Sequence, residues 1–131
     1  LTTSLRGTLT EGVDFDGDKL HAAVVCGVPI TNTSTNLSQA IQSAYDERFS
    51  DGFDYAFTVP AVRKTRQALG RVIRGSNDVG VRVLIDERYA TSRTFTSVRG
   101  HFPDHATSEF QPISPPDLSD ELRRFWTQHE P

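Results

Sequence analysis

Ala22 to Val28 reads AAVVCGV, nearly uniformly apolar and rich in β-branched side chains. That is the pattern of a central strand in a parallel sheet covered on both faces. Val81, Val83, Leu84 and Ile85 predict a second such strand. Between the two, Leu37, Ala40, Ile41, Ala44, Tyr45 and Phe49 recur at helical spacing behind a Ser/Thr/Asn-rich segment. The spacing predicts a helix from about Leu37 to Phe49, with several N-cap candidates at its start. A further helix is expected from about Pro60 or Ala61 to Arg74, with Pro60 in its first turn and Gly75 as its stop. After Tyr89 the prolines at 103, 112, 115 and 116 mark loops. Leu118, Leu122, Phe125 and Trp126 then predict one last amphipathic helix, expected to pack back on the domain. Strands alternating with helices indicate an α/β layer fold.

Inside the second predicted helix the run QALGRVIR places Gln67, Gly70, Arg71 and Arg74 at i, i+3, i+4 and i+7. On a helix these fall within a sector roughly 100° wide, with Leu69, Val72 and Ile73 on the opposite side. Glycine within a helix costs about 1 kcal/mol relative to alanine, so Gly70 suggests that something approaches the backbone closely. Arginine keeps its charge at any relevant pH and offers a planar fork that matches phosphate oxygens, so two of them one turn apart suit a polyphosphate. A solvated basic stripe is the alternative reading of this helix taken by itself. Nearer the N-terminus, Gly7 to Phe15 (GTLTEGVDF) brackets acidic residues with glycines and reads as a tight functional loop.

Together, EGVDF, GVP, QALGRVIRG and DERY, in that order, resemble the final conserved motifs of the XPD/DinG family of ATP-dependent DNA helicases. A buried strand ending in Gly-hydrophobic-Pro (Ala22 to Pro29), an aromatic-Pro segment (Tyr55 to Pro60) and a strand ending in Asp-x-Arg-aromatic (Val81 to Tyr89) complete the likeness. It covers Leu5 to Tyr89 and continues weakly to Pro103. The resemblance implies a RecA-like, P-loop-NTPase-type parallel sheet flanked by helices. Residues 1–105 would be the C-terminal part of the second helicase lobe, and residues 106–131 an extension whose short amphipathic helix packs on it. It further implies that Arg71 and Arg74 neutralise charge on the γ-phosphate of ATP, that Gln67 positions the phosphate or attacking water, and that Gly70 permits close approach. Glu11, Gly12 and Asp14 match the motif linking nucleotide state to DNA grip, with Thr8 and Thr10 as DNA contacts. The implied partners are ATP with Mg²⁺, single-stranded DNA and the first RecA-like lobe of the same parent. The implied movement is from 5′ to 3′.

At 131 residues the chain suits one domain. It carries no GxxxxGK[ST] phosphate loop and no DEAH-type magnesium strand, so it is expected to be an excised C-terminal piece of a longer helicase, inactive alone. Net charge is −3 and the pI near 5.8, which argues against a basic coat for nucleic acid. Five basic residues nevertheless fall between Arg63 and Arg74, so phosphate recognition would be local. The family commonly carries a four-cysteine iron–sulfur cluster in its first lobe, and the single cysteine, Cys26, cannot hold one. One cysteine also excludes an internal disulfide framework and suits a reducing compartment. With no apolar run long enough to span a bilayer, the expected location is intracellular, cytoplasmic or nucleoid-associated.

Other candidate chemistry yields to plainer readings. Asp14, Asp16 and Asp18 mimic the start of a calcium loop, but the positions that need glycine and glutamate hold Lys19 and Val25. His101 and His105 have Pro103 between them and no suitably spaced further ligand, so no metal site is expected. Cys26 reads as a packing residue of a buried strand. Asp86 and Arg88 read as an ion pair at a strand end, or as residues that fix the arginine-bearing helix. A non-catalytic RecA-like interaction module, or a phosphate-binding domain, is the rival to the motor reading.

Overall fold

A computed structural model describes residues 2–5, 20–91, 93 and 96–129. The two apolar runs form strands β1 (Ala22–Cys26) and β2 (Val81–Ile85), paired in parallel with Ala22 opposite Val81 and Cys26 opposite Ile85. The Gly27 N–H prolongs the ladder by donating to the Ile85 carbonyl at 2.9 Å. Parallel strands need a crossover rather than a hairpin, and this one carries α1 (Asn36–Phe49) and α2 (Val59–Leu69). The first helix starts where its pattern predicts, because the Thr35 hydroxyl accepts the Ser38 N–H at 3.1 Å and so satisfies one of the open donors of the first turn. It closes at Ser50, in the left-handed region with φ 58°.

The second helix departs from expectation at both ends. Helical backbone already begins at Gly52 and passes through a π turn at Asp54–Thr58. There the Val59 N–H reaches the Asp54 carbonyl, just ahead of Pro60, which has no N–H to give. The widened turn carries the helix past the proline. At the other end α2 stops at Leu69, short of Arg74, with Gly70 as its C-cap. The Arg71 and Val72 N–H groups reach back only three residues, to the Ala68 and Leu69 carbonyls at 3.3 Å, the tightened geometry of a helix end. Beyond them the Asp78 carboxylate accepts the N–H groups of Arg74 at 2.7 Å and Gly75 at 2.8 Å. That capture removes donors that a continuing helix would use.

The core lies where α2 meets β1 and the segment after β2. Val62, Tyr89, Val98 and Phe102 cluster there, with Val28, Leu84 and Phe110 packed against them. Short helices α3 (Glu87–Ala90) and α4 (Asp104–Thr107) flank a 3₁₀ turn at Arg99–His101. Arg99 secures this segment by donating to the Thr107 carbonyl at 3.0 Å while lying 5.0 Å over the Phe110 ring. The sheet is not covered on both faces as its composition predicts. Along β1, Ala23 and Val25 are covered while Ala22, Val24 and Cys26 are exposed, and Val24 and Ile85 are 56% and 50% exposed. Among the described residues, helices cover one face only. Cys26 is therefore an exposed thiol rather than a packing residue. The apolar ridge of α1 is likewise exposed at Leu37, Ile41, Tyr45 and Phe49, and Tyr45 and Phe49 stack with Tyr55 instead of entering the core. The last helix, α5 (Leu118–His129), forms as expected. Its Trp126 meets His21 edge-on, ring centroids 6.1 Å apart. Among the described residues no helix is long and apolar enough to cross a membrane.

Candidate functional site

Gln67 sits in the last turn of α2 and is exposed, as is Gly70 at the C-cap. Arg71 is half-buried and Arg74 exposed, but the backbone beneath both has left the helix. The sequence spacing therefore does not describe one regular helical face. Gln67 and Gly70 share the end of the helix, while the tightened turn presents Arg71 and the loop closed by Asp78 presents Arg74. The opposite side is as expected, with Leu69 and Val72 buried.

Gly70 has φ −67° and ψ −7°, a conformation open to any residue, so its backbone does not demand glycine. A Cβ there would meet only the carbonyl oxygens of its own helix, Arg66 at 3.2 Å and Gln67 at 3.7 Å. The bare backbone thus faces outward between Gln67 and the arginines. The N–H groups of Arg74 and Gly75, together with the nearby Arg74 charge, hold the Asp78 carboxyl below its ordinary range, so it remains an ionised staple of this loop. Glu11, Gly12 and Asp14, with Thr8 and Thr10, lie outside the described residues.

The groups that set α2 against the sheet are ones the spacing of motifs does not single out. Thr65, on α2, is fully buried, and Tyr89 is 2% exposed. The Tyr89 hydroxyl lies 3.2 Å from the Thr65 hydroxyl and donates to the Gly27 carbonyl at 3.0 Å. Gly27 has φ +78° where the chain leaves β1, which is glycine's own region. Burial pushes the Tyr89 hydroxyl above its ordinary pKa, against the opposing effect of Thr65, so it stays a neutral donor. The only sequence signal of this bridge is the aromatic residue that ends DERY.

The same tyrosine relocates a role expected of its neighbours. Asp86 caps α3 by accepting the Arg88 N–H at 3.0 Å, and its carboxylate receives the Arg88 guanidinium at 2.8 and 2.6 Å. That guanidinium, aided by the backbone N–H groups of Arg88 and Val28, holds the Asp86 carboxyl below its ordinary range. The ion pair is present as read. The hydrogen bond to α2, however, comes from Tyr89. On the far side of the site Gly80 lets the loop approach β1, since a Cβ would fall 2.3 Å from Val72 Cγ1 and 3.0 Å from the His21 carbonyl oxygen.

The model of the helicase C-terminal domain family matches residues 1–105. The XPD helicase subunit of general transcription and DNA repair factor IIH from Dictyostelium discoideum is 33% identical over 89 residues, covering 68% of this chain and 12% of that protein. Its namesake from Schizosaccharomyces pombe is 36% identical over 96 residues, covering 70% of the chain and 12% of the relative. The XPD/RAD3 subunit of Saccharomyces cerevisiae is 32% identical over 94 residues, covering 72% and 12%. The chain spans about an eighth of the length of these relatives.

Proposed function

The chain belongs to the helicase C-terminal domain family, in its XPD-like form, and from that premise we propose that it is the C-terminal part of the second RecA-like lobe of an ATP-dependent DNA helicase. Val24, Cys26 and Ile85 leave an apolar sheet face exposed, as suits a partial lobe whose other layers belong to the parent. The observation that carries the motor reading is the end of α2. Gln67 and bare Gly70 close a helix anchored by buried Thr65, and Arg71 and Arg74 follow them just beyond its end.

That end is the negative pole of the helix dipole, which repels anions. Attraction of a polyphosphate must therefore come from the guanidinium groups. Arginines reaching across a cleft toward a nucleotide held by another lobe would neutralise the charge developing on the γ-phosphate during phosphoanhydride hydrolysis. In this scheme Gln67 orients the phosphate or water, and Gly70 leaves room for them. Glu11, Gly12 and Asp14 couple nucleotide state to single-stranded DNA, with Thr8 and Thr10 on the strand. The sequence carries no phosphate loop, no DEAH-type magnesium strand and one cysteine, and in this scheme we assign Mg²⁺ to the first lobe, along with any iron–sulfur cluster. Such a motor works on intracellular DNA, in cytoplasm or on the nucleoid.

ATP turnover by the full-length protein, with and without single-stranded DNA, tests this reading. The protein should hydrolyse ATP, the DNA should accelerate it, and the 131-residue chain alone should be inert. A full-length protein that binds DNA or a protein partner but turns over no ATP would favour a non-catalytic interaction module. Hydrolysis by the isolated chain would contradict the two-lobe scheme.

A further inference from the structure

We infer that Tyr89 is a positioning residue for ATP hydrolysis, its hydroxyl bridging α2, whose end leads into Arg71 and Arg74, to the end of β1; this rests on the motor reading above. Three contacts meet at two hydroxyl groups. Thr65 Oγ1 lies 3.0 Å from the Ala61 carbonyl oxygen, 3.2 Å separates the two hydroxyls, and Tyr89 Oη lies 3.0 Å from the Gly27 carbonyl oxygen. Two hydroxyl protons cannot serve three contacts at once. The Ala61 carbonyl is already within the backbone ladder of α2. The Gly27 carbonyl, by contrast, leaves β1 just past the end of the paired residues. The arrangement that uses both protons without a redundant bond is a directed relay, Thr65 donating to Tyr89 and Tyr89 donating to Gly27.

The relay is placed to fix rotation and not merely to add stability. Thr65 lies one half-turn before Gln67 on α2, so rolling the helix against β1 changes the distance from Thr65 to Gly27 and swings Gln67, Gly70 and the turn beyond them. Apolar contacts of Val62 and Leu69 tolerate a small roll, because dispersion varies gently with angle. A buried two-bond relay does not, since hydrogen bonds weaken steeply off their axis. A misplacement of about 1 Å in a catalytic group costs as much as 10²-fold in rate. The ring of Tyr89 has a separate task, packing edge-on against Phe102 with centroids 6.0 Å apart. Phenylalanine keeps that task and removes the relay.

In the full-length protein, Tyr89→Phe should lower kcat for DNA-stimulated ATP hydrolysis by about 10-fold, within the range that misplacement allows. KM for ATP should stay within about two-fold of the parent and the melting temperature within a few degrees, since the ring packing persists. Thr65→Val should give a similar kcat, and the double variant should be little worse than either single one, as members of one relay are not additive. A kcat for Tyr89→Phe within two-fold of the parent overturns the inference. So does a kcat loss that follows the fall in melting temperature, which would make the tyrosine structural. Arg71→Ala and Arg74→Ala measured alongside separate the failures. If either abolishes turnover while Tyr89→Phe is unaffected, only the relay is wrong; if neither has any effect, the motor reading fails.

Discussion

Asp86 performs three tasks with one carboxylate, capping α3, receiving the Arg88 fork and accepting the Val28 N–H at the end of β1. Its pKa is lowered in the fold, so the stabilisation it gives is present above the unfolded carboxylate value of about 4 and is lost as pH falls through the lower folded value. Asparagine retains the capping oxygen but not the charge. Asp86→Asn should therefore leave α3 formed and remove this residue's share of the acid sensitivity. Hydrogen-exchange protection of the Arg88 and Tyr89 amides, compared between pH 7 and pH 3, measures the effect. The parent should lose more protection than the variant; equal losses would mean that the ion pair contributes nothing to acid stability. Arg88 is itself held in the charged form by Asp86, so the pair is not the source of a free guanidinium for a phosphate.

At the scale of elements, what determines the site is where α2 ends. Gly80 permits the loop after that end to lie against β1, and a methyl group there would meet Val72 Cγ1 at 2.3 Å. Overpacking of that kind costs about 1–3 kcal/mol, so Gly80→Ala should lower the denaturant midpoint of the domain. Adding Val72→Ala should recover part of the loss, because it removes the atom that is struck. A double variant as unstable as the sum of its parts would mean that the strain lies elsewhere. The elements themselves were legible in the sequence. Val81 to Ile85 is the second strand, the α1 pattern from Leu37 to Phe49 differs by a residue at its start, and α5 begins at Leu118. The end of α2 was not legible, since QALGRVIR keeps a helical period through Arg74. Past the end at Leu69 a local side-chain bond competes with further helix, Asp78 capturing the N–H groups of Arg74 and Gly75 four and three residues before it. The Tyr89 relay was hidden for a different reason, because Gly27, Thr65 and Tyr89 are distant in sequence and only the fold brings them together. Cys26 and Val24 misled in the other direction, as a uniformly apolar strand gives no sign that one of its faces stays open.

For the whole molecule, charge and chemistry are arranged locally. A net charge of −3 argues against a basic coat for nucleic acid, yet the basic run from Arg63 to Arg74 concentrates positive charge from the middle of α2 to the turn beyond its end. That end opposes anions through its dipole, and Asp78 beside it adds a further negative group. Under the proposed function the two guanidiniums would therefore act against their surroundings, at a nucleotide held by another lobe. Steady-state ATP turnover in the presence of single-stranded DNA, by the full-length protein carrying Arg71→Ala or Arg74→Ala, tests this most directly. At least one variant should lose about 10³-fold in kcat, the range expected for an arginine finger, while still binding ATP and unfolding at nearly the parent temperature. Lysine should restore little of the loss, because a point charge lacks the planar fork. Turnover within a few-fold of the parent in both alanine variants would contradict the assignment of these arginines to ATP hydrolysis.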